Sequence, residues 1–138
     1  MNFDTGMDDY HKKSASPIIP SGDPSLDKLL LGGFQRELIY LLYEPRRLIS
    51  HILMRTCVNA QIILGENHES KKEIKVAYID GNNRFNPYEV STYAASKHLS
   101  PQKVLEHILI ARAFTWEQMI ELIEHLQKKG SYKKHKIR

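Results

Sequence analysis

The stretch from Ile39 to Gln61, IYLLYEPRRLISHILMRTCVNAQ, decides the fold class of this chain. An apolar run opens it, and we predict a buried strand over Glu37–Tyr43. The polar residues Glu44-Pro45-Arg46-Arg47 then break the run. The residues that follow are apolar at helical spacing, namely Leu48, Ile49, Ile52, Leu53, Cys57, Val58, Ile62 and Ile63. A strand, a tight connection and an amphipathic helix are typical of the opening unit of a nucleotide-binding α/β domain.

The connection between this strand and helix lacks the residues that bind phosphate in such units. In a phosphate-binding loop the connection is rich in glycine, because bare backbone N–H groups must surround the phosphates, and it ends in lysine followed by serine or threonine. Residues 44–47 contain no glycine, and no lysine follows them in the predicted helix. The sequence therefore predicts the architecture of a phosphate site without its chemistry.

Length and composition indicate a single globular domain. The chain has 138 residues, of which 41% are hydrophobic and 26% are charged. Its apolar runs are far shorter than the roughly 18 residues of a membrane span, and its acidic, polar start is not typical of a signal peptide. The single cysteine, Cys57, excludes an internal disulfide and is predicted to be a buried structural thiol in a reducing compartment. We therefore expect a protein of a reducing compartment, cytoplasmic or, in a eukaryote, nuclear, with no membrane partner.

Residues 1–20 are predicted to form a flexible tail or linker ahead of a core domain at residues 21–138. The segment is rich in Asp, Ser and Lys, and it ends with Pro17 and Pro20. Phe3 is an aromatic residue in polar surroundings. It is either a disordered residue or an anchor that docks in a pocket of a partner.

Further strands and helices alternate along the core domain. Apolar runs predict buried strands over Lys75–Asp80 and Ile108–Ala113. The predicted helices follow a capping residue or a proline, and they lie after Ser25, after Asn86-Pro87, over Gln102–His107 and over Trp116–Lys129. The last helix has a Thr115–Gln118 capping box and is predicted to end at Gly130. Three strands that alternate with helices indicate a parallel α/β sheet.

A basic segment closes the chain. Its cations, which no acid accompanies, are Lys128, Lys129, Lys133, Lys134, Lys136 and Arg138. The segment is either a solvated helix end or a contact to the phosphate backbone of a nucleic acid.

Three segments of the chain carry a family resemblance. They are SGDPSLDKLLLGG at residues 21–33, VAYIDGNNRFNP at residues 76–87 and LSPQKVLEHILIARAF at residues 99–114. In this order and at this spacing they resemble the RadA branch of the RecA-type recombinases, the archaeal and eukaryotic strand-exchange ATPases. The resemblance covers roughly Ser21 to Leu126. It implies a RecA-like parallel sheet of the P-loop type with flanking helices, of which the N-terminal half of the core is present.

The departures from that family fall on its nucleotide site. Its phosphate loop aligns with Glu44, Pro45, Arg46, Arg47, Leu48, Ile49, Ser50 and His51. The phosphate-binding lysine falls on Ser50, the magnesium-binding threonine on His51, and the catalytic glutamate on Asn82, which cannot act as a base. The resemblance therefore implies that the chain is not an enzyme and that ATP binds weakly or not at all. The histidines lack metal-ligand spacing, so no metal site is predicted.

The resemblance also implies partners and a function. The family has a Phe-x-x-Ala anchor that docks on the neighbouring subunit, and Phe3-Asp4-Thr5-Gly6 lies near the corresponding distance from Ser25. We expect a non-catalytic paralogue that aids homologous recombination and DNA repair, with a RadA-type recombinase or a related paralogue as partner and DNA as a second candidate. One alternative is a truncated recombinase fragment without separate activity. The other is a DNA-dependent ATPase with an altered phosphate loop, in which Arg46 and Arg47 hold anions.

Overall fold

The computed structural model describes residues 2–43, 45–66 and 73–136. In chain order these residues form α1 (Gly6–Ala15), β1 (Ile18–Ile19), α2 (Pro24–Leu29), β2 (Phe34–Gln35), α3 (Arg46–Glu66), β3 (Val76–Asp80), α4 (Pro87–Ser96), α5 (Pro101–Glu106), β4 (Ile108–Arg112) and α6 (Trp116–Lys136). The predicted alternation of strands and helices is present from α3 onward.

Two parallel strands support the core. β3 pairs with β4 in a register that runs from Val76 opposite Ile108 to Asp80 opposite Arg112. Because parallel neighbours need a crossover connection, α4 and α5 lie between the two strands in the chain. Both strands coincide with the predicted apolar runs, so the prediction of a parallel α/β sheet is confirmed.

Helix α3 provides the centre of the hydrophobic core. Met54, Cys57 and Val58 are buried against Val90 of α4 and Ile108 of β4. Burial raises the pKa of the Cys57 thiol to about 11, so this thiol is inert, as expected of a structural residue. Among the described residues, α3 is also the one helix long and apolar enough to cross a membrane by length and composition. Its place in the core is typical of the central helix of an α/β domain.

The predicted strand over Glu37–Tyr43 is wrong. The segment begins in a turn and continues as irregular chain, with Leu38, Ile39 and Leu41 exposed to solvent. A strand is stable only where another strand satisfies its backbone N–H and C=O groups. In the described part of the chain, β3 and β4 pair with each other, and β1 pairs antiparallel with β2. The apolar pattern thus identified an apolar segment that pairs with no strand of the described residues.

Residues 2–20, which fall in the predicted tail or linker, include the helix α1 and the short strand β1. Helix α1 forms because Thr5 and Asp8 cap it reciprocally, with the Asp8 N–H donating to Thr5 Oγ1 at 3.1 Å and the Thr5 N–H donating to Asp8 Oδ2 at 3.0 Å. The side chains along it are nevertheless exposed, including Met7 and Tyr10. The segment is therefore a surface helix followed by β1.

Helix boundaries follow the predicted caps with two exceptions. Asn86 caps α4 through the Tyr88 N–H at 3.0 Å, and the Thr115–Gln118 capping box is confirmed. The cap of α2 is Asp23 rather than Ser25, because the carboxylate reaches the N–H of Leu26 at 2.9 Å and Pro24 occupies the first turn. In addition, α6 continues through Gly130 to Lys136. A single glycine within a helix costs only about 1 kcal/mol relative to alanine, so it need not end one.

A buried polar network holds the segment 20–27 against the core. Asn59 of α3 donates to the Pro20 carbonyl at 2.9 Å and accepts from the Tyr93 hydroxyl at 3.1 Å. The Asp27 carboxylate accepts from the N–H of the fully buried Ser21 at 2.8 Å. These bonds fix the first motif of the chain to α3 and α4, which position the site described next.

Candidate functional site

The carboxyl end of β3 faces the first turns of α3, where the resembled family binds its nucleotide. The cavity between them has a volume of about 190 Å³, and its walls are Ile49, Ser50, Leu53, Tyr78, Ile79, Asp80, Gly81, Asn82 and Arg84. Pockets that enclose cofactors and drug-sized ligands have about 300–1,000 Å³. This cavity by itself is smaller than such pockets.

The positions of the phosphate loop form the start of a helix instead of a loop. Helix α3 begins at Arg46, and its first helical hydrogen bond joins the Ile49 N–H to the Pro45 carbonyl at 3.2 Å. A phosphate loop needs several N–H groups that are free to converge on the anion, whereas helical N–H groups are engaged from Ile49 onward. Leu48 and Ile49 add apolar bulk at the same place. Glu44 and the side chain of Arg46 lie outside the described residues.

A contact between two helices occupies the position of the magnesium-binding threonine. His51 of α3 approaches Glu89 of α4 through its Nδ1 atom, and the two groups form an ion pair when the imidazole is protonated. Its neighbour Ser50, at the position of the phosphate-binding lysine, brings no positive charge to the site. The contact joins α3 to α4 where the family would need room for a metal and its phosphates.

Asp80 organises the loop that follows β3. The residue is 4% exposed, and its carboxylate accepts from the N–H groups of Asn82 at 3.3 Å, Arg84 at 3.0 Å and Phe85 at 3.0 Å. Burial alone raises the pKa of Asp80, but these three N–H groups and the charge of Arg112 outweigh it, so the pKa lies below its usual value. Asp80 is thus a charged residue that stabilises the turn after β3.

Asn82 lies at the rim of the cavity, where the family has its catalytic glutamate. Its carboxamide has no basic lone pair, so it cannot activate a water molecule. Among the described residues, no group of three or more His, Cys, Asp or Glu side chains is placed to hold a metal ion. The side chains of this site do not fit a magnesium–nucleotide complex, and no reaction step can be assigned to them.

A second cleft, the arginine cleft, lies beside the cavity. It has a volume of about 370 Å³ and is lined by Arg47, Ser50, His51, Met54, Arg84, Asn86 and Glu89. Arg47 and Arg84 are both exposed, and neither has an acidic partner in the described part of the chain. The sequence analysis named Arg47 but missed Arg84 and Glu89. No spacing in the sequence shows that the β3–α4 connection and the first turn of α4 meet α3.

The predicted partner and nucleic-acid residues lie apart from both clefts. Phe3 is 87% exposed, precedes α1 and lines neither cleft. Lys128 is exposed on α6. The backbone of α6 includes Lys129, Lys133, Lys134 and Lys136, but their side chains, like Arg138 as a whole, lie outside the described residues. The structure thus leaves three separate regions, of which the one around α3 contains the cavity and the arginine cleft.

Comparison with known proteins places these features in a family. The sequence model of the Rad51 family matches residues 12–137. The meiotic recombination protein DMC1 homolog A of Oryza sativa subsp. japonica is 34% identical over 122 residues, which are 88% of this chain and 35% of that protein. The DMC1 homolog of Arabidopsis thaliana is 32% identical over 137 residues, 96% of this chain and 38% of that protein. The DNA repair and recombination protein RadA of Cenarchaeum symbiosum (strain A) is 27% identical over 131 residues, 92% of this chain and 31% of that protein.

These matches agree with the fold. The chain spans about a third of the length of these relatives. The part it spans has the mixed helices and the parallel strand pair of a partial RecA-like core. Since the family match extends over nearly the whole chain, this protein belongs to the RadA/Rad51-type recombinase family.

Proposed function

We propose that this chain is a non-catalytic recombinase paralogue that acts as an accessory factor in homologous recombination and DNA repair. The observation that carries the proposal is the course of α3, which is helical from Arg46 through His51, where a phosphate loop would lie. The names of the relatives supply the process, because they are meiotic recombination and DNA repair proteins.

The chemistry of phosphoryl transfer supports the loss of activity. That reaction depends almost wholly on groups that position the phosphates and stabilise their charge. Ser50, His51 and Asn82 replace the three side chains that would do so, and His51 is engaged with Glu89. The proposed role therefore rests on binding a partner, a RadA-type recombinase or a related paralogue, with DNA as a second ligand of the basic end of α6.

A strand-exchange assay tests this function. A full-length recombinase from the same cell is assayed with and without the chain, and ATP hydrolysis by the chain alone is measured in parallel. The proposal predicts a changed rate or extent of strand exchange and no hydrolysis by the chain. Unchanged strand exchange at saturating chain would favour a fragment without separate activity.

Co-purification locates the partner surface. If Phe3 is the anchor, Phe3→Ala weakens co-purification with the recombinase about tenfold or more, since burial of a phenylalanine contributes about 1.5–3 kcal/mol. Tyr10→Ala is the matched control, because Tyr10 is also an exposed aromatic residue of this segment, at 65%. Equal binding by both variants and the unaltered chain would exclude Phe3 as the anchor.

The arginine cleft favours a second candidate, a DNA-dependent ATPase with an altered phosphate loop. Arginine holds phosphates in a bidentate geometry, and Arg47 and Arg84 have no acidic partner among the described residues. This candidate predicts ATP hydrolysis that single-stranded DNA stimulates and that Arg47→Ala abolishes. The same assay without any hydrolysis would leave the accessory role as the remaining activity.

A further inference from the structure

Ser100 lies between α4 and α5 and opens the sequence Ser-Pro-Gln-Lys. Protein kinases of the proline-directed class phosphorylate a serine that proline follows, and many of them favour a basic residue three positions after the serine. Proline has no backbone N–H, so it fits a kinase pocket in which the N–H of another residue would stay unpaired. Pro101 and Lys103 occupy these two positions. The four residues therefore match the substrate pattern of this kinase class.

The side chain of Ser100 is accessible to a kinase. The residue is exposed, its backbone is extended with φ −71° and ψ 114°, and its side chain makes no capping hydrogen bond to α5. By contrast, the capping side chains of Asp23 and Asn86 accept from N–H groups of their own helices at 2.9 Å and 3.0 Å. The Ser100 hydroxyl is therefore not engaged in the capping role that its position would allow.

The residues around Ser100 are cationic. Residues 97–103 include Lys97, His98 and Lys103 and no acid, and these three residues are exposed. Such polar side chains are ordinarily exposed to solvent, so no further part of a protein is needed to cover them. A phosphate group adds a charge of about −1.5 to −2 and three acceptor oxygens, which neighbouring cations stabilise. The surface is thus suited to carry a phosphoserine.

Lys103 is placed to bind that phosphate. Ser100, Lys103 and His107 line the same cleft, which has a volume of about 300 Å³. His107 approaches Glu73, with 3.6 Å between Nε2 and Oε2, whereas Lys103 has no acidic partner in the part of the chain that the structure describes. Lys103 follows Ser100 by three residues, the spacing at which side chains along a helix contact each other.

The first turn of α5 has to open when a kinase binds. Kinases bind the residues on both sides of the serine as an extended chain, and residues 101–103 belong to the helix. Helix α5 has six residues, and a helix this short is marginal by itself. Its contact with the hydrophobic core is Val104, which lies after the residues that open. The opening therefore leaves the buried part of α5 in place.

We propose that Ser100 is a phosphorylation site for a proline-directed protein kinase, with ATP as the phosphoryl donor. The Oγ atom of Ser100 attacks the γ-phosphorus of ATP, and the bond from this phosphorus to the β–γ bridging oxygen breaks. ADP leaves, and the hydroxyl proton passes to the catalytic base of the kinase. The phosphate then pairs with Lys103 and fixes the connection between α4 and α5. This inference does not depend on the proposed function, because the kinase binds the ATP.

The chain contains its own control for the motif. Ser16 and Pro17 form a second Ser-Pro pair, but Ile19 occupies the third position after this serine. In addition, the Ser16 hydroxyl donates to the Lys12 carbonyl at 3.3 Å. A proline-directed kinase should therefore modify Ser100 much faster than Ser16.

Mass spectrometry of the full chain, incubated with ATP and a purified kinase that prefers lysine at the third position, tests the site. We expect phosphate on Ser100 that is lost in Ser100→Ala and in Pro101→Ala and retained in Ser16→Ala. Circular dichroism establishes that the variants are folded. An unmodified Ser100, or a Ser100 that is modified no faster than Ser16, overturns the proposal.

Urea unfolding of the fully phosphorylated chain tests the pairing with Lys103. The phosphate should raise the folding equilibrium constant about threefold to tenfold, and Lys103→Gln should remove this gain. Lys97→Gln is the matched control, because the Lys97 ammonium lies over the Tyr93 ring, 5.5 Å from its centroid, and does not line the cleft. The gain should persist in this control. Equal stability with and without the phosphate, or a gain that survives Lys103→Gln, contradicts the proposed pairing.

Discussion

Two connections in this chain have the same sequence pattern and different structures. In each, an apolar run is followed by polar residues, a proline and a helix: Val76–Asp80 leads to Pro87 and α4, and residues 38–43 lead to Pro45 and α3. After β3, Asp80 gathers three backbone N–H groups and Asn86 caps the helix. Before α3, no strand forms. The difference is the neighbour, since β3 pairs with β4 and the segment 38–43 pairs with no described strand.

The difference supports the proposal that this chain has no working nucleotide site. A phosphate loop binds phosphate when a strand of the sheet holds one end of the turn, the helix holds the other, and the backbone N–H groups of the turn are free. Here the strand is absent and the helix starts early, at Arg46. The β3–α4 connection is ordered because the Asp80 and Asn86 side chains bind its own backbone N–H groups.

The largest loss of unfolding free energy is expected where α3 packs against the β3–α4 connection. Met54 is 2% exposed, and its sulfur accepts from the Asn86 N–H at 3.3 Å. Met54→Ala should lower the free energy of unfolding in urea by about 2–5 kcal/mol, through the cavity it leaves. Leu53→Ala, one residue away and 41% exposed, should cost less than about 1 kcal/mol. Similar losses for the two variants would show that α3 does not pack as described.

Asp80→Asn tests the turn itself. The carboxamide cannot accept from the N–H groups of Arg84 and Phe85 as strongly as the carboxylate, so we expect a loss of about 2–3 kcal/mol in urea unfolding at neutral pH. Asn82→Ala is the control, since Asn82 enters the turn through its backbone N–H. It should change stability by less than about 0.5 kcal/mol.

The stabilisation that Asp80 provides should depend on pH. The pKa of Asp80 is lower in the folded chain than its usual value. Its contribution to stability is therefore present above the unfolded pKa of about 3.9 and is lost as the pH falls through the folded pKa. The stability difference between the unaltered chain and Asp80→Asn should be full at pH 7 and should shrink below about pH 4. A difference that is constant with pH would contradict the charge on Asp80.

The smallest effect is expected for the substitution of isoleucine by valine, made once in α3 and once in the segment 38–43. Ile52 is 5% exposed in α3, and Ile39 is 101% exposed. Ile52→Val should cost about 0.5–1.5 kcal/mol, whereas Ile39→Val should change the stability of dilute chain by less than about 0.5 kcal/mol. A larger loss for Ile39→Val would mean that the segment 38–43 is buried in a sheet after all.

Local signals predicted much of this fold. Apolar runs gave β3 and β4, and the side chains of Asn86, Thr115 and Gln118 cap the helices as their spacing indicates. A Thr5–Asp8 pair at capping-box spacing could also have revealed α1. These features depend on residues within a few positions of each other, so they can be read from the sequence alone.

The features that the sequence missed depend on distant residues. Whether residues 37–43 form a strand is decided by a neighbour elsewhere in the chain, and the pairing of β1 with β2 joins Ile18 to Gln35. The contact between His51 and Glu89 spans two helices. On α6, Trp116 is 74% and Ile123 46% exposed, so apolar residues at helical spacing do not by themselves determine whether another element covers them. At the candidate site, the loss of function at Ser50, His51 and Asn82 stays a prediction, and the contact of His51 with Glu89 was not predicted.

Isothermal titration of the chain with magnesium-ATP tests the central claim most directly, because the claim is that a recombinase-family chain has a closed nucleotide site. A family member that keeps the glycine-rich loop and its lysine serves as the positive control under the same conditions. We predict no saturable heat up to about 1 mM ATP, so that binding contributes less than about 4 kcal/mol. A dissociation constant near about 1 μM, or about 8 kcal/mol of binding, would contradict the account.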